Sequence, residues 1–284
     1  MTKGCLIFAH NGTIDYGSQA VLAAGLASKH LGVPVSLVSD IATVDDIKSK
    51  FDSLPFDQII IINKPSVTNY RYLTDGVTSQ KHLIEFNNSN RNSAYDLTPY
   101  DRTLVIDSDF LIFSDVLNQY WEDTNDFLIT PGMYNPFEEQ YRPTEYILNP
   151  SSINMLWATN IMFSKTPEVK LVFDLVEHIR EEYVYYAGLY EFSPDKYRND
   201  FAFSVACHIM SGHGTNQWHG ELPVPVLYDD NSELANIRSD QLTFVSKDQH
   251  SPNNYFLSRC KNQDVHVLNK FSILANIQSL MELV

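Results

Sequence analysis

Short, wholly apolar runs alternate with amphipathic stretches over the first sixty residues. "CLIFAH" (5–10), "VPVSLVSD" (33–40) and "FDQIIIINK" (56–64) are too apolar to keep one face in water and predict buried strands. Between them, "YGSQAVLAAGLASKHLG" (16–32) spaces its apolar residues as a helix does. It stops at Gly32 and puts Lys29 and His30 in the last turn, where cations meet the negative end of the helix dipole. "VDDIKSKFDSL" (44–54) predicts a second helix. This β-α-β-α-β order predicts an α/β domain on a mostly parallel central sheet flanked by helices.

The alternation continues beyond a polar stretch, "FNNSNRNSAYDLTPYD" (86–101), whose Asn, Ser and Pro content predicts loop. "TLVIDSD" (103–109) is a fourth strand, with "DFLITP" (126–131) and "NIMFSK" (160–165) as further strands. "PEVKLVFDLVEHIREEYVYYAG" (167–188) and "RNDFAFSVACHIMSGHG" (198–214) predict helices, and "PVPVLYD" and "LTFVSK" short strands. The closing segment "DVHVLNKFSILANIQSLMELV" ends in a helix with one apolar stripe, suited to docking back on the domain. No internal repeat, low-complexity tract or long linker interrupts the chain, so one domain over residues 1–284 is expected.

Composition narrows the class. With 44% hydrophobic, 12% aromatic and 19% charged residues, the 284-residue chain is a folded globular protein. A net charge of −15 opposes non-specific adhesion to nucleic acid or anionic membranes, although Arg71, Lys81, Arg91, Arg142 and Arg198 can still form a local basic patch. Cys5, Cys207 and Cys260 have no C-x-x-C spacing, which argues against a disulfide framework or zinc ribbon and for a reducing, cytoplasmic setting. No apolar run reaches the ~20 residues of a membrane helix, and the N-terminal run is too short for a signal peptide.

The chemistry concentrates where strands end. Neither Gly-rich phosphate-loop pattern occurs. The first strand runs instead into "HNGTIDYG", placing His10, Asn11, Asp15 and Tyr16 at the sheet edge where α/β proteins bind ligands, though an ordinary loop with a capped helix has the same composition. Asp107 and Asp109 flank Ser108 directly after "TLVI"; a buried strand ending in two carboxylates calls for a cation. Carboxylate oxygens suit Mg²⁺ or Mn²⁺. A bare D-x-D also arises as a polar turn, so its placement is what gives it weight. His266 and Lys270 form a second pair, a possible metal ligand and phosphate partner, while His208, His213 and His219 form a rival cluster without recognised zinc spacing.

Taken in order, "CLIFAHNGTIDYGSQAVLAAGLASKHLGVPVSLVSD", "YDLTPYDRTLVIDSDFLIF", "WATNIMFSK", "RNDFAFSVA" and "HVLNKFSI" resemble glycosyltransferases of the GT-A fold, especially the family 8-like group. The resemblance runs from about Cys5 to Ile273 and lies in the order of the motifs. It implies a Rossmann-like fold with a nucleotide-binding half over about 1–115 and an acceptor-side half over about 116–284. It also implies a nucleoside diphosphate sugar donor, commonly a UDP-sugar, bound through Mn²⁺ or Mg²⁺. On it, Asp107, Asp109 and His266 are the metal ligands and Lys270 contacts phosphate. His10, Asn11, Asp15, Tyr16, Arg91 and Ser108 belong to the donor site, and Asn160 and Asp200 face the donor sugar. The family's terminal H-x-x-G-x-x-K-P-W departs here to "HVLNKFS", with Asn269 in place of Gly and a shortened spacing to Lys270.

The start of the chain at its first strand also resembles glycosyltransferases of tailed phages. That resemblance implies, as acceptor, a hydroxymethylated base in DNA, through arabinosylation or glucosylation of 5-hydroxymethylcytosine, against a glycan as the other acceptor class. Two other classes stay open: a nucleotidyltransferase that makes nucleotide sugars, which would want a basic Gly-rich loop after the first strand, and a non-catalytic nucleotide-sugar-binding protein.

Overall fold

The computed structural model describes residues 1–63, 69–74, 80–86, 90–137, 148, 153–214, 216–239, 241–247 and 254–284. The first half opens with β1 (Lys3–Phe8), α1 (Tyr16–Leu31), β2 (Val35–Ser39), α2 (Ile41–Lys50) and β3 (Gln58–Ile61), followed by a hairpin of β4 (Asn69–Thr74) and β5 (Lys81–Phe86). A short α3 (Ala94–Leu97) leads into β6 (Arg102–Ile106) and β7 (Phe110–Leu111). The second half comprises β8 (Phe127–Thr130), β9 (Trp157–Ser164), α4 (Pro167–Glu181), α5 (Tyr183–Tyr190), α6 (Asn199–Met210), β10 (Gly220–Glu221) and β11 (Val226–Tyr228). It closes with β12 (Ser232–Arg238), β13 (Gln241–Lys247), β14 (Tyr255–Cys260), β15 (Val265–Val267), α7 (Lys270–Ala275) and α8 (Ile277–Met281).

The central sheet has seven strands in the order β10-β8-β9-β6-β1-β2-β3. Four of its six pairings are parallel; β9 is inserted antiparallel between β6 and β8. Helices cover both faces, as the apolar strands require. One core packs Ile7, Leu104 and Ile106 against α1, and the other packs Leu6, Val105 and Ile161 against α4 and α6. The predicted α/β class therefore holds. The "IIII" run departs from the expected full burial because β3 is the edge strand, and Ile61 is half exposed there.

Local signals account for most element ends. Asp15 caps α1 by accepting the Ser18 N–H, and Gly32 ends the helix in the left-handed conformation at φ 66°. Helix α2 starts three residues before the expected position because Asp40 caps it, accepting the Thr43 N–H at 3.0 Å. Pro167 opens α4 behind the Thr166 cap, and Val169, Val172, Phe173, Val176 and Ile179 form its buried stripe. The single helix expected over 167–188 is broken at Glu182; beyond the break Tyr183, Ala187 and Tyr190 carry the burial.

Three smaller sheets attach to this frame. The hairpin β4–β5 lies in a stretch that gave no strong periodic signal; Ile84 enters the core and His82 packs on Phe271 with ring centroids 5.0 Å apart. Strands β12, β13 and β14 form an antiparallel meander, and β7, β15 and β11 form a sheet that brings the chain's end beside the end of β6. Helix α8 then packs on α1, where a Cβ on Gly25 would run into Val284. Among the described residues, no helix is long and apolar enough to cross a membrane.

Tyr100 lies across the start of β1, its hydroxyl 2.7 Å from the Ser36 Oγ, and its ring occupies the space a Cβ on Gly4 would need. Gly4→Ala should therefore cost about 1–3 kcal/mol through overpacking. Urea unfolding reads this as a lowered midpoint at unchanged slope, and an unmoved midpoint would contradict the packing.

Candidate active site at the carboxyl edge of the sheet

Because β6, β1 and β2 are adjacent and parallel, the segments leaving their carboxyl ends line one edge. From β6 come Asp107, Ser108 and Asp109. The Asp107 N–H donates to the Thr159 carbonyl at 2.9 Å, and the Phe110 N–H to the Asp107 carbonyl at 3.1 Å, so a tight turn follows the strand. The Val267 N–H donates to the Asp109 carbonyl at 3.1 Å, and His266 pairs with Phe110 in the β15–β7 register. Backbone pairing thus joins residues more than 150 positions apart.

One ligand atom from each of Asp107, Asp109 and His266 lies within 4.8 Å of the others. The His266 Nε2 is 3.3 Å from Asp109 Oδ2 and 3.9 Å from Asp107 Oδ2. Burial pushes the His266 imidazole down to about 3, leaving it neutral. Its Nδ1 lies 3.3 Å from the Thr159 hydroxyl, a partner that fixes the ring's orientation. Two carboxylates and a neutral imidazole present electron pairs to one another, and this donor set fits a divalent cation with oxygen and nitrogen ligands. Ligands about 2.0–2.1 Å from an octahedral ion stand about 3–4 Å apart, the range of both measured separations.

Two cationic side chains balance the carboxylates. Arg91 contacts Asp107 and donates to the Ala158 carbonyl; Lys270 contacts Asp109 and donates to the Val267 carbonyl. Both are buried. The altered terminal motif explains how Lys270 arrives: Asn269 accepts the Ser272 N–H at 3.0 Å, capping α7, and donates to the Ser232 carbonyl at 3.0 Å. Lys270 is thereby the first residue of a helix that starts against the acidic pair.

Asp200 lies just outside this group. Its carboxylate accepts the Ala158 N–H at 2.9 Å and pairs with Arg198 at 2.8 Å. Burial pushes its pKa up, but the Arg198 charge and hydrogen bonds, the Ala158 N–H and the Arg91 charge outweigh it, holding the carboxyl below the usual range. Asn160 is not brought into the acidic cluster; its Oδ1 accepts the Thr130 hydroxyl, and it lines a different cavity.

The first loop builds itself from its own polar groups. Asn11 accepts the Gly17 N–H at 2.7 Å and donates to Asp46 at 2.9 Å and Asp15 at 3.2 Å. His10 is buried with Nδ1 3.0 Å from Asp40, and Tyr16 is buried in the core. A cavity of about 390 Å³ opens here, lined by Asn11, Asp15, Asp40, Thr43 and Asp46 among others; His10 and Tyr16 do not line it. Asp40, which the sequence places at the end of the second strand, and Thr159 join the site beyond the residues singled out from the sequence. Asp40 carried the same signal as Asp107, an acid directly after an apolar strand, whereas Thr159 sits mid-strand with no local mark.

Of the rival histidines, His208 and His213 pack edge to face with ring centroids 5.1 Å apart, without forming a metal-type group. His208 bonds to the Tyr190 hydroxyl and His219 to the Gly220 carbonyl, and among the described residues only Asp107, Asp109 and His266 form a metal-type group. The three cysteines are buried and unpaired with one another. Of the basic patch, Arg91 and Arg198 are committed to Asp107 and Asp200. Arg142 and the side chain of Arg71 lie outside the described residues.

No protein-family model matches the chain, and no curated protein matches it. Among solved structures, it is similar to the glycosyltransferase GlyE of Streptococcus pneumoniae TIGR4, with 14% identity and a TM-score of 0.42 over 78% of this chain and 45% of GlyE. It is also similar to the galactosyltransferase LgtC in complex with donor and acceptor sugar analogs, with 12% identity and a TM-score of 0.45 over 72% of this chain and 69% of that one. The chain spans less than half the length of GlyE.

Asp200 gives this site a pH signature. Its depressed pKa contributes stability that is present above the unfolded value of about 3.9 and is lost as pH falls through the lower folded value. Asp200→Asn should cost about 1.5–3 kcal/mol at pH 7, as loss of charged hydrogen bonds does. Denaturant midpoints at pH 7 and pH 3 should show that deficit shrinking in acid; a deficit independent of pH would contradict the assignment.

Proposed function

We propose that this chain is a metal-dependent glycosyltransferase of the GT-A type, a single domain that moves a sugar from a nucleoside diphosphate donor, a UDP-sugar, to a glycan. The convergence of Asp107, Asp109 and His266 at the carboxyl edge of a parallel sheet carries this reading. The cavity along the neighbouring β1–α1 and β2–α2 loops supports it, because it lies on the same edge and offers Asn11, Asp15 and Asp40 to the base and ribose. His10 and Tyr16 act there as supports behind the loop, and Ser108 as the buried spacer that sets the two acids apart.

Asp107, Asp109 and His266 hold the cation, Mn²⁺ or Mg²⁺, which when bound neutralises charge on the diphosphate as the sugar departs. Lys270 and Arg91 are the chain's own cations at this point. Beside a cation held by these carboxylates, both side chains would present positive charge to diphosphate oxygens, where it favours the leaving group. Asp200 keeps the Ala158 amide and Arg198 in place beside Arg91 and is the carboxylate on the sugar side. Asn160 is proposed to face the donor sugar, its side chain oriented by the Thr130 hydroxyl.

Arg91 is assigned to the donor side and Arg198 is paired with Asp200, so neither is left to a basic patch for a DNA acceptor, which favours a glycan. Isothermal titration of the chain with UDP and Mn²⁺ should give one binding event that chelator abolishes. Asp107→Asn should weaken it at least tenfold, about 1.4 kcal/mol. Equal affinity in the variant, or binding indifferent to chelator, would overturn the reading.

A further inference from the structure

The segment that delivers Arg91 to Asp107 has nothing apolar of its own. Asn90–Ser93 is a single 3-10 turn ahead of α3, and the next apolar residue is Ala94, which is fully buried. Arg91 and Asn92 are nevertheless buried, so their polar atoms require partners. Within the turn, the Ser93 hydroxyl donates to the Asn90 carbonyl at 2.7 Å. An arginine side chain is long and rich in rotamers, so where its guanidinium rests depends on what fixes the backbone on either side.

Both flanking residues are held by α4. The Arg180 Nη1 donates to Asn90 Oδ1 at 3.3 Å and to Asn92 Oδ1 at 3.4 Å. The Asn92 Nδ2 donates to Glu177 Oε2 at 3.0 Å, and the Arg180 Nη2 closes the ring on Glu177 Oε1 at 3.3 Å. The two asparagines gripped in this way stand immediately before and after Arg91. Helix α4 can serve as their anchor because its stripe from Val169 to Ile179 is sunk in the core.

A surface ion pair alone does not account for this arrangement. Spaced i, i+3, Glu177 and Arg180 would meet on any helix face, and an exposed pair of this kind contributes little to stability. Their side chains keep 48% and 31% exposure, whereas Asn92 and Arg91 keep 6% and 5%. The ring therefore links a solvated helix face to a buried guanidinium that ends on Asp107 and the Ala158 carbonyl.

We propose that Glu177 and Arg180 are positioning residues: through Asn90 and Asn92 they set the Arg91 guanidinium against Asp107. The consequence for a bound diphosphate rests on the transferase reading, and the placement of Arg91 does not.

Magnetic resonance spectra of the full chain, carrying isotope-labelled arginine, test it. The Arg91 guanidinium signals, identified by their loss in Arg91→Lys, should exchange slowly with solvent in the wild type, as those of a buried, paired group do. Arg180→Met keeps an apolar stem and removes the donors. It should speed that exchange at least tenfold while the melting transition stays native. Asn92→Asp, which brings a carboxylate against Glu177, should do the same. Adding Glu177→Gln to it should restore the wild-type signals, because the new amide donates to the new carboxylate while its oxygen still accepts from Arg180. UDP affinity with Mn²⁺ should follow the signals, falling at least fivefold in both single variants and recovering in the double one. Arg91 signals unmoved in either single variant, or not restored in the double one, would overturn the proposal. Loss of folding in Arg180→Met would also overturn it, by making the pair structural. A wild-type chain that fails to bind UDP with Mn²⁺ would sink the transferase reading and leave the exchange of Arg91 to decide the positioning.

Discussion

Charge balance at the end of β6 is the constraint on which this architecture turns. Asp107 and Asp109 leave a fully buried strand, and neither can be desolvated alone without a large penalty. Arg91 from the segment before β6 and Lys270 from the start of α7 supply the compensating charges. The arrangement holds together only because β7 and β15 pair in the register that sets His266 against Phe110. The end of the chain is therefore built into the same edge as its beginning, and α8 completes the closure by lying on α1.

The same balance gives the site its chemical character. An acidic pair neutralised by two buried cations could exchange those partners for a divalent ion without creating an unpaired buried charge, provided Arg91 and Lys270 then met an anion. On the proposed function a diphosphate would supply that anion, so cation and nucleotide would bind with strong mutual support. The network also separates neighbours: Asp200 pairs with Arg198 beside Arg91, whereas Asn160 and Asp264 line a different cavity.

Much of this was legible in the residues. Strand runs that were wholly apolar gave β1, β2 and β6, and the acids following them gave the edge where the chemistry sits. Capping residues also did their work in plain view, although Asp40 was read as strand end when it is the cap of α2. The "IIII" run misled because apolarity does not distinguish an edge strand from a central one. The hairpin β4–β5 and the broken helix at Glu182 depend on tertiary packing of Ile84, His82 and Tyr183 that no local pattern encodes. Pairings such as Arg91 with Asp107, or Thr159 with His266, join residues far apart in sequence, so their geometry could only come from the fold. Asn160 illustrates the limit well: its place in a strand was readable, its partner and its cavity were not.

Crystals of the chain grown with Mn²⁺ and UDP, examined by anomalous diffraction at the manganese edge, put the central claim to the most direct test. The account predicts one strong anomalous peak bounded by the carboxylates of Asp107 and Asp109 and the Nε2 of His266, with Lys270 Nζ moved off Asp109 toward the diphosphate. A peak remote from these three residues, or Lys270 still seated on Asp109 with the ion bound elsewhere, would contradict it.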